Sequence, residues 1–166
     1  MSRQLGNELP KELLTLLDGR DLPSRVGKAI LITTIDAKGW PHPALLSYGE
    51  VLALDVRRLR LATYASSNTS NNMRRSGRLT LCLIEARMAY YVKTRAEEQT
   101  SRFARFPTLA QFEATMEHVL ADQVREDVEQ QAWIVSGIVF EMAKPMAEVL
   151  GDWSAVLNAL RGSPAS

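Results

Sequence analysis

The chain has one cysteine, Cys82, and two histidines, His42 and His118. A single thiol excludes an intrachain disulfide framework. Neither histidine stands at a ligand spacing from Cys82, so no zinc-type donor set is expected. Charge of one sign is lacking as well. Twenty Lys and Arg against 19 Asp and Glu leave a net charge of +1, which gives no global field for nucleic acid or an anionic membrane. No apolar run approaches a membrane span, and no hydrophobic signal region follows Met1, so a cytoplasmic location is expected. Gly-x-Gly-x-x-Gly, the Walker sequence and the Gly-x-Ser-x-Gly elbow are all missing, which argues against a dinucleotide fold, a P-loop and a serine hydrolase. Cys82 lies in an apolar run and reads as a small buried hydrophobe rather than a nucleophile.

What is present describes an ordinary globular chain. At 166 residues, 46% hydrophobic and 23% charged, it is long enough for one real core. We read a single domain, 1–166. Residues 1–28 are an N-terminal helix and connector, 29–96 a barrel core, 97–145 a helix and closing strand, and 146–166 a C-terminal helix and tail. Asn7 to Asp18 has a leucine face and ends at Gly19, a helix pattern. Ala29–Ile35 and Trp40–Tyr48 read as a hairpin turned by Asp36 to Gly39. Pro41 and Pro43 put the return strand at a sheet edge, because neither can donate to a ladder. His42 lies between them with no visible partner.

Glu50–Leu54 and Met88–Ala96 are further strands. In the latter Tyr90, Val92 and Thr94 face one way, and Ala89, Tyr91, Lys93 and Arg95 the other. From Thr108 to Asp122, Leu109, Phe112, Met116, Val119 and Leu120 recur at helical spacing and predict an amphipathic helix, with His118 off its apolar stripe. Ala132–Met142 reads as a closing strand with Gly137 at a bulge or close approach, and Asp152–Leu160 as a last helix. Arg57, Arg58 and Arg60, like Arg74, Arg75 and Arg78, read as solvated turn residues. Trp133 and Trp153 read as core or interface residues. Six short strands with one intruding helix and later flanking helices predict a mainly β fold with flanking helices, a closed antiparallel barrel rather than a βαβ sheet.

The chain is organised around Leu59 to Ile84. Leu59–Thr63 alternates as a half-buried strand. The run from Ser66 to Asn72 is polar, almost uncharged and rich in N-cap residues. Met73–Ser76 ends a short helix, Gly77 supplies its left-handed stop, and Arg78–Ile84 is a central strand apolar on both faces. A loop feeding a helix N-terminus offers unpaired N–H groups and a positive dipole end, a natural seat for phosphate. The same residues equally serve as plain helix caps.

The sequence ATYASSNTSNNMRRSGRLTLCL, preceded by AILITTIDAKGWPHPALLSY, resembles the pyridoxamine-phosphate-oxidase-like FMN-binding split-barrel family. Ala62-Thr63, Ser67 and Gly77-Arg78 fall at its motif positions. The resemblance covers roughly Ala29 to Ala96 and implies a homodimer with FMN in two interface grooves. It implies that the backbone of Leu45, Leu46 and Ser47 lies beside the isoalloxazine ring. It also implies that Thr63, Ser66, Ser67, Asn68 and Thr69 hold ribityl and phosphate oxygens, with Asn72 and Arg74 behind them. Family members often carry Arg and Lys after the loop serine, where this chain has Asn68 and Thr69. The implied activity is flavin electron or hydride transfer on a small molecule the sequence does not identify. The alternative is a non-enzymatic module on the same dimeric scaffold, holding flavin, deazaflavin or haem. No nucleic-acid or membrane partner is expected.

Overall fold

The computed structural model describes residues 2–99, 103, 105–123 and 133–162. The chain opens with strand β1 (Arg3–Gly6), helix α1 (Lys11–Leu16) and a 3-10 turn at Pro23–Arg25. β2 (Lys28–Ile35) and β3 (Pro41–Ser47) follow, then a second 3-10 turn at Tyr48–Glu50, β4 (Val51–Ala53) and β5 (Arg58–Tyr64). Helix α2 (Asn68–Ser76) leads to β6 (Arg78–Glu85), β7 (Met88–Glu98), β8 (Leu109–Asp122), β9 (Ile138–Val139) and helix α3 (Met146–Arg161).

All nine strands described belong to one antiparallel sheet of order β3-β2-β6-β7-β8-β5-β4, with β1 added to β8 and β9 to β2. The two ends of that order, β3 and β4, are consecutive in the chain and joined only by the Tyr48–Glu50 turn. The sheet therefore curls until its ends meet without a ladder between them, which is the split in the barrel. Its concave face is the core. Ile30 and Ile32 of β2, Leu79, Leu81 and Leu83 of β6, Tyr90 and Val92 of β7, and Phe112 and Ala114 of β8 are all buried there.

Local chemistry explains the connections. The Asp36 carboxylate accepts from the backbone N–H groups of Lys38 and Trp40, each at 2.8 Å, and closes the β2–β3 hairpin over Gly39 at φ +85°. Ala86 and Arg87, at φ 49° and 64°, form the left-handed pair that a tight β6–β7 turn requires. Gly77, at φ +61°, caps α2.

Several expectations are corrected. Leu109–Asp122 is a 14-residue strand, not a helix. Its buried residues alternate through Ala110, Phe112, Ala114 and Met116, then resume at Val119 and Ala121 after a register shift opposite Lys93 and Thr94. That bulge shifts the strand's phase by one residue, so Phe112, Met116, Val119 and Leu120 mimic helical spacing. The Ala132–Met142 strand reduces to Ile138–Val139 among the described residues, although Gly137 is a close approach: a Cβ there would lie 3.2 Å from Ile84. β1 has no alternating pattern to announce it, and α1 is shorter than Asn7–Asp18. α3 begins at Met146, six residues ahead of Asp152. β5 is buried on both faces rather than one, because α3 covers its outer side.

Arg60, read as a solvated turn residue, is 4% exposed. It donates to Glu113 Oε2 at 3.1 Å and to the Leu160 carbonyl in the last turn of α3 at 2.8 Å. Nearby, Trp153 of α3 packs on Gly49, where a Cβ would lie 2.1 Å from the indole. Gly49→Ala should therefore destabilise the fold by about 1–3 kcal/mol through overpacking. Gly151→Ala, in the same helix with nothing within 4 Å, should stabilise it by about 0.5–1 kcal/mol. Urea midpoints of the two variants should move in opposite directions.

Candidate functional site

The polar loop between β5 and α2 folds as an N-cap. Ser67 is the cap residue, and its Oγ accepts from Ser70 N–H at 3.1 Å. Behind it runs a chain of buried hydroxyls. Thr63 Oγ1 and Ser70 Oγ are 2.7 Å apart, and Ser70 Oγ donates to the Tyr64 carbonyl at 2.7 Å. Ser70 is fully buried, and Thr63 and Thr69 nearly so. The other end of α2 is tied to the β2–β3 hairpin. Asn72 Nδ2 donates to Thr34 Oγ1 at 3.0 Å, and Thr34 Oγ1 donates to the His42 carbonyl at 3.4 Å. Arg75 donates to the Ile35 carbonyl and to Asn72 Oδ1.

The ten candidate residues therefore divide by role. Ser66 and Asn68 are exposed and Ser67 is half-buried, so these three line the open end of α2. The N–H groups of Asn68 and Thr69, at the first two helical positions, precede the first intrahelical donors and point out of the helix end. Thr63 and Asn72 are buried and bonded within the frame, and Thr69 is buried beside them. Arg74 is directed elsewhere. Its Nε and Nη2 donate to the two carboxylate oxygens of Glu98 at 2.6 and 2.7 Å, and its Nη1 donates to the Ala65 carbonyl at 2.7 Å. The carboxylate and guanidinium stabilise each other's charged forms, so the Glu98 pKa is lowered and that of Arg74 raised. The helix end thus presents neutral donors and a dipole, with its own arginine neutralised.

Leu45, Leu46 and Ser47 lie on the edge strand β3. Leu46 is buried in the core and Leu45 is 53% exposed. Ser47 N–H donates not to β2 but to Glu50 Oε2, at 2.6 Å, and Ser47 Oγ donates to the same oxygen at 2.8 Å. Burial nonetheless pushes the Glu50 carboxyl above its usual range. Pro41 and Pro43 share the phase of Ser47, so odd-numbered residues of β3 turn their backbone groups away from β2. Leu45 N–H and C=O therefore lie on the free edge of the sheet. Leu45 also begins a row of register partners across the convex face, Leu45–Leu31–Cys82–Tyr91–Leu120, none of them buried in the core. Cys82 thus faces outward and is half-buried, not enclosed as its apolar strand suggested.

Sequence reasoning missed Ser70, Thr34 and Glu98. Ser70 sits inside the polar run, and only its burial distinguishes it from its neighbours. Thr34 and Glu98 are remote in sequence from α2 and carried no local signal. Among the described residues no cluster of three or more His, Cys, Asp or Glu could hold a metal ion, and no helix is long and apolar enough to cross a membrane.

No family model matches the chain. The Bacillus subtilis protein YclD, itself uncharacterized, is 32% identical over 157 residues, spanning 93% of this chain and 97% of YclD. Among solved structures, a candidate pyridoxamine 5'-phosphate oxidase from Lactobacillus delbrueckii superposes with a TM-score of 0.57 at 20% identity, covering 70% of this chain and 98% of that one. A single-residue variant of HupZ from Group A Streptococcus gives 0.54 at 15% identity, over 69% of this chain and 99% of HupZ. These structural likenesses establish the fold.

Three serines of the loop should separate in stability. Ser70→Ala leaves the Thr63 hydroxyl without its buried partner, while the Tyr64 carbonyl keeps the Ser67 N–H, and should cost about 1–3 kcal/mol. Ser67→Ala removes the cap and should cost about 1 kcal/mol. Ser66→Ala, on an exposed side chain, should stay within about 0.5 kcal/mol of the parent. Urea unfolding of the three variants checks the order.

Proposed function

We propose that this chain, which belongs to one family with YclD and has the split-barrel fold of the pyridoxamine 5'-phosphate oxidase-like structure it superposes on, is an FMN-binding oxidoreductase acting on a small molecule. The observation that carries the reading is the open N-terminus of α2, where Ser67 and the N–H groups of Asn68 and Thr69 converge. The donor set fits a flavin phosphate through backbone and hydroxyl groups rather than through cations. Ser66 and Asn68 would bond ribityl or phosphate oxygens, and the free-edge backbone of Leu45 would meet the polar rim of the ring. Bound there, the flavin would supply the hydride or electron transfer.

The chain's own residues would do the positioning. The Thr63–Ser70–Tyr64 chain fixes the N-terminus of α2 against β5, and Asn72–Thr34 ties the rest of the helix to the hairpin that carries β3. We further propose that the protein works as a homodimer. The exposed Leu45 on the free edge of β3 offers apolar surface for a second copy to cover. A second copy laid on this surface would shield the ring from solvent. Deazaflavin and haem are alternative planar ligands for the same groove, and an empty scaffold acting through its dimer surface is the non-enzymatic alternative.

The freshly purified protein should show a flavin absorption band, before or after loading with FMN and desalting, and a reductant should bleach it. A protein that keeps no band after loading would contradict the flavin reading.

A further inference from the structure

The convex face of the sheet carries a cavity that the flavin seat does not use. It measures about 620 Å3, within the range of small-molecule sites, and lies under residues 133–139, whose strand β9 docks on Lys28 and Ala29. The wall is mixed, its apolar part supplied by Leu31, Cys82 and Ile84 from the sheet and Trp133 and Ile138 from the covering segment. Three cations, Arg25, Lys28 and Arg87, stand around it against one carboxylate, Glu85. Arg25 spends its charge on Glu85, at 3.6 Å, and sits 5.9 Å from the Tyr48 ring centroid. The Arg87 guanidinium lies 5.6 Å over the Trp133 ring. Lys28 is exposed and has no side-chain partner among the described residues.

A chamber part apolar and part cationic selects for a ligand of matching character. A neutral apolar body would fill the wall but leave Lys28 and Arg87 to water. A small inorganic anion would meet the cations but leave the wall unfilled. We propose that this cavity binds an amphipathic organic acid, its apolar body against Leu31, Ile84 and Trp133 and its carboxylate at Lys28 and Arg87. The cavity borders the proposed flavin strand, since Ala29 pairs with Ser47 and Leu31 with Leu45. That the acid would be the flavin's neighbour rests on the flavin reading; the preference for an acid does not.

Cys82 reports occupancy directly. It lines the cavity and is the chain's only thiol, so alkylation by iodoacetamide labels one position. Burial raises its pKa, so labelling is run at mildly alkaline pH. With 2-naphthylacetate as probe, labelling should slow saturably, and the neutral 2-naphthylacetamide should protect at least about threefold more weakly, the size of one partly exposed charge contact. Lys28→Gln should erase most of that preference and leave the amide's protection unchanged, while Lys28→Arg should retain it. No protection by the acid, equal protection by acid and amide, or an undiminished preference in Lys28→Gln would overturn the proposal. Acid-selective protection in protein that takes up no FMN would uphold this site and remove the flavin reading. FMN uptake without protection would do the reverse.

Discussion

The position of α2 depends on one buried hydroxyl chain. Ser70 has no contact with solvent, yet its single Oγ joins Thr63 on β5, the Tyr64 carbonyl and the Ser67 cap. A hydroxyl with one proton and two lone pairs is close to fully used by that set, which makes the arrangement rigid and costly to break. Since β5 is itself held on both faces, the helix end inherits the rigidity of the barrel. Arg60 secures the outer face of β5 by joining Glu113 of β8 to the last turn of α3. The functional consequence is a helix N-terminus whose N–H groups keep a fixed direction.

The electrostatics of that helix end are built from neutral groups. Asn68 and Thr69 stand where family members often carry Arg and Lys, and Arg74 is neutralised by Glu98 in a two-point contact. An anion held here would rely on the dipole and on N–H donors, each weaker than a charged partner. Two cations stand instead around the cavity on the convex face, where Lys28 and Arg87 have no acidic partner among the described residues. The two proposed anion sites thus rely on different donor sets.

Much of this was legible in the sequence because the signals were local. Pro41 and Pro43 marked the edge strand, the run from Ser66 to Asn72 marked the cap, and Gly77 marked the helix stop. What misled was a phase change: the bulge near Met116 made one long strand imitate a helix. What could not be read were contacts made at a distance. Arg74 finds Glu98, Arg60 finds the end of α3, and the segment from Trp133 to Val139 closes a cavity on strands more than forty residues away in sequence. Cys82 shows the same limit. An apolar strand told that it lay in the sheet, but which face was covered depended on what folded back over it.

The account's central claim is that the N-terminus of α2 holds a flavin phosphate through uncharged donors. Equilibrium titration with FMN and with riboflavin, followed by quenching of flavin fluorescence, isolates that phosphate. FMN should bind at least about tenfold more tightly than riboflavin, and Ser67→Ala should narrow the gap. Equal affinity for the two flavins would show that the helix end does not hold the phosphate, and would contradict the account.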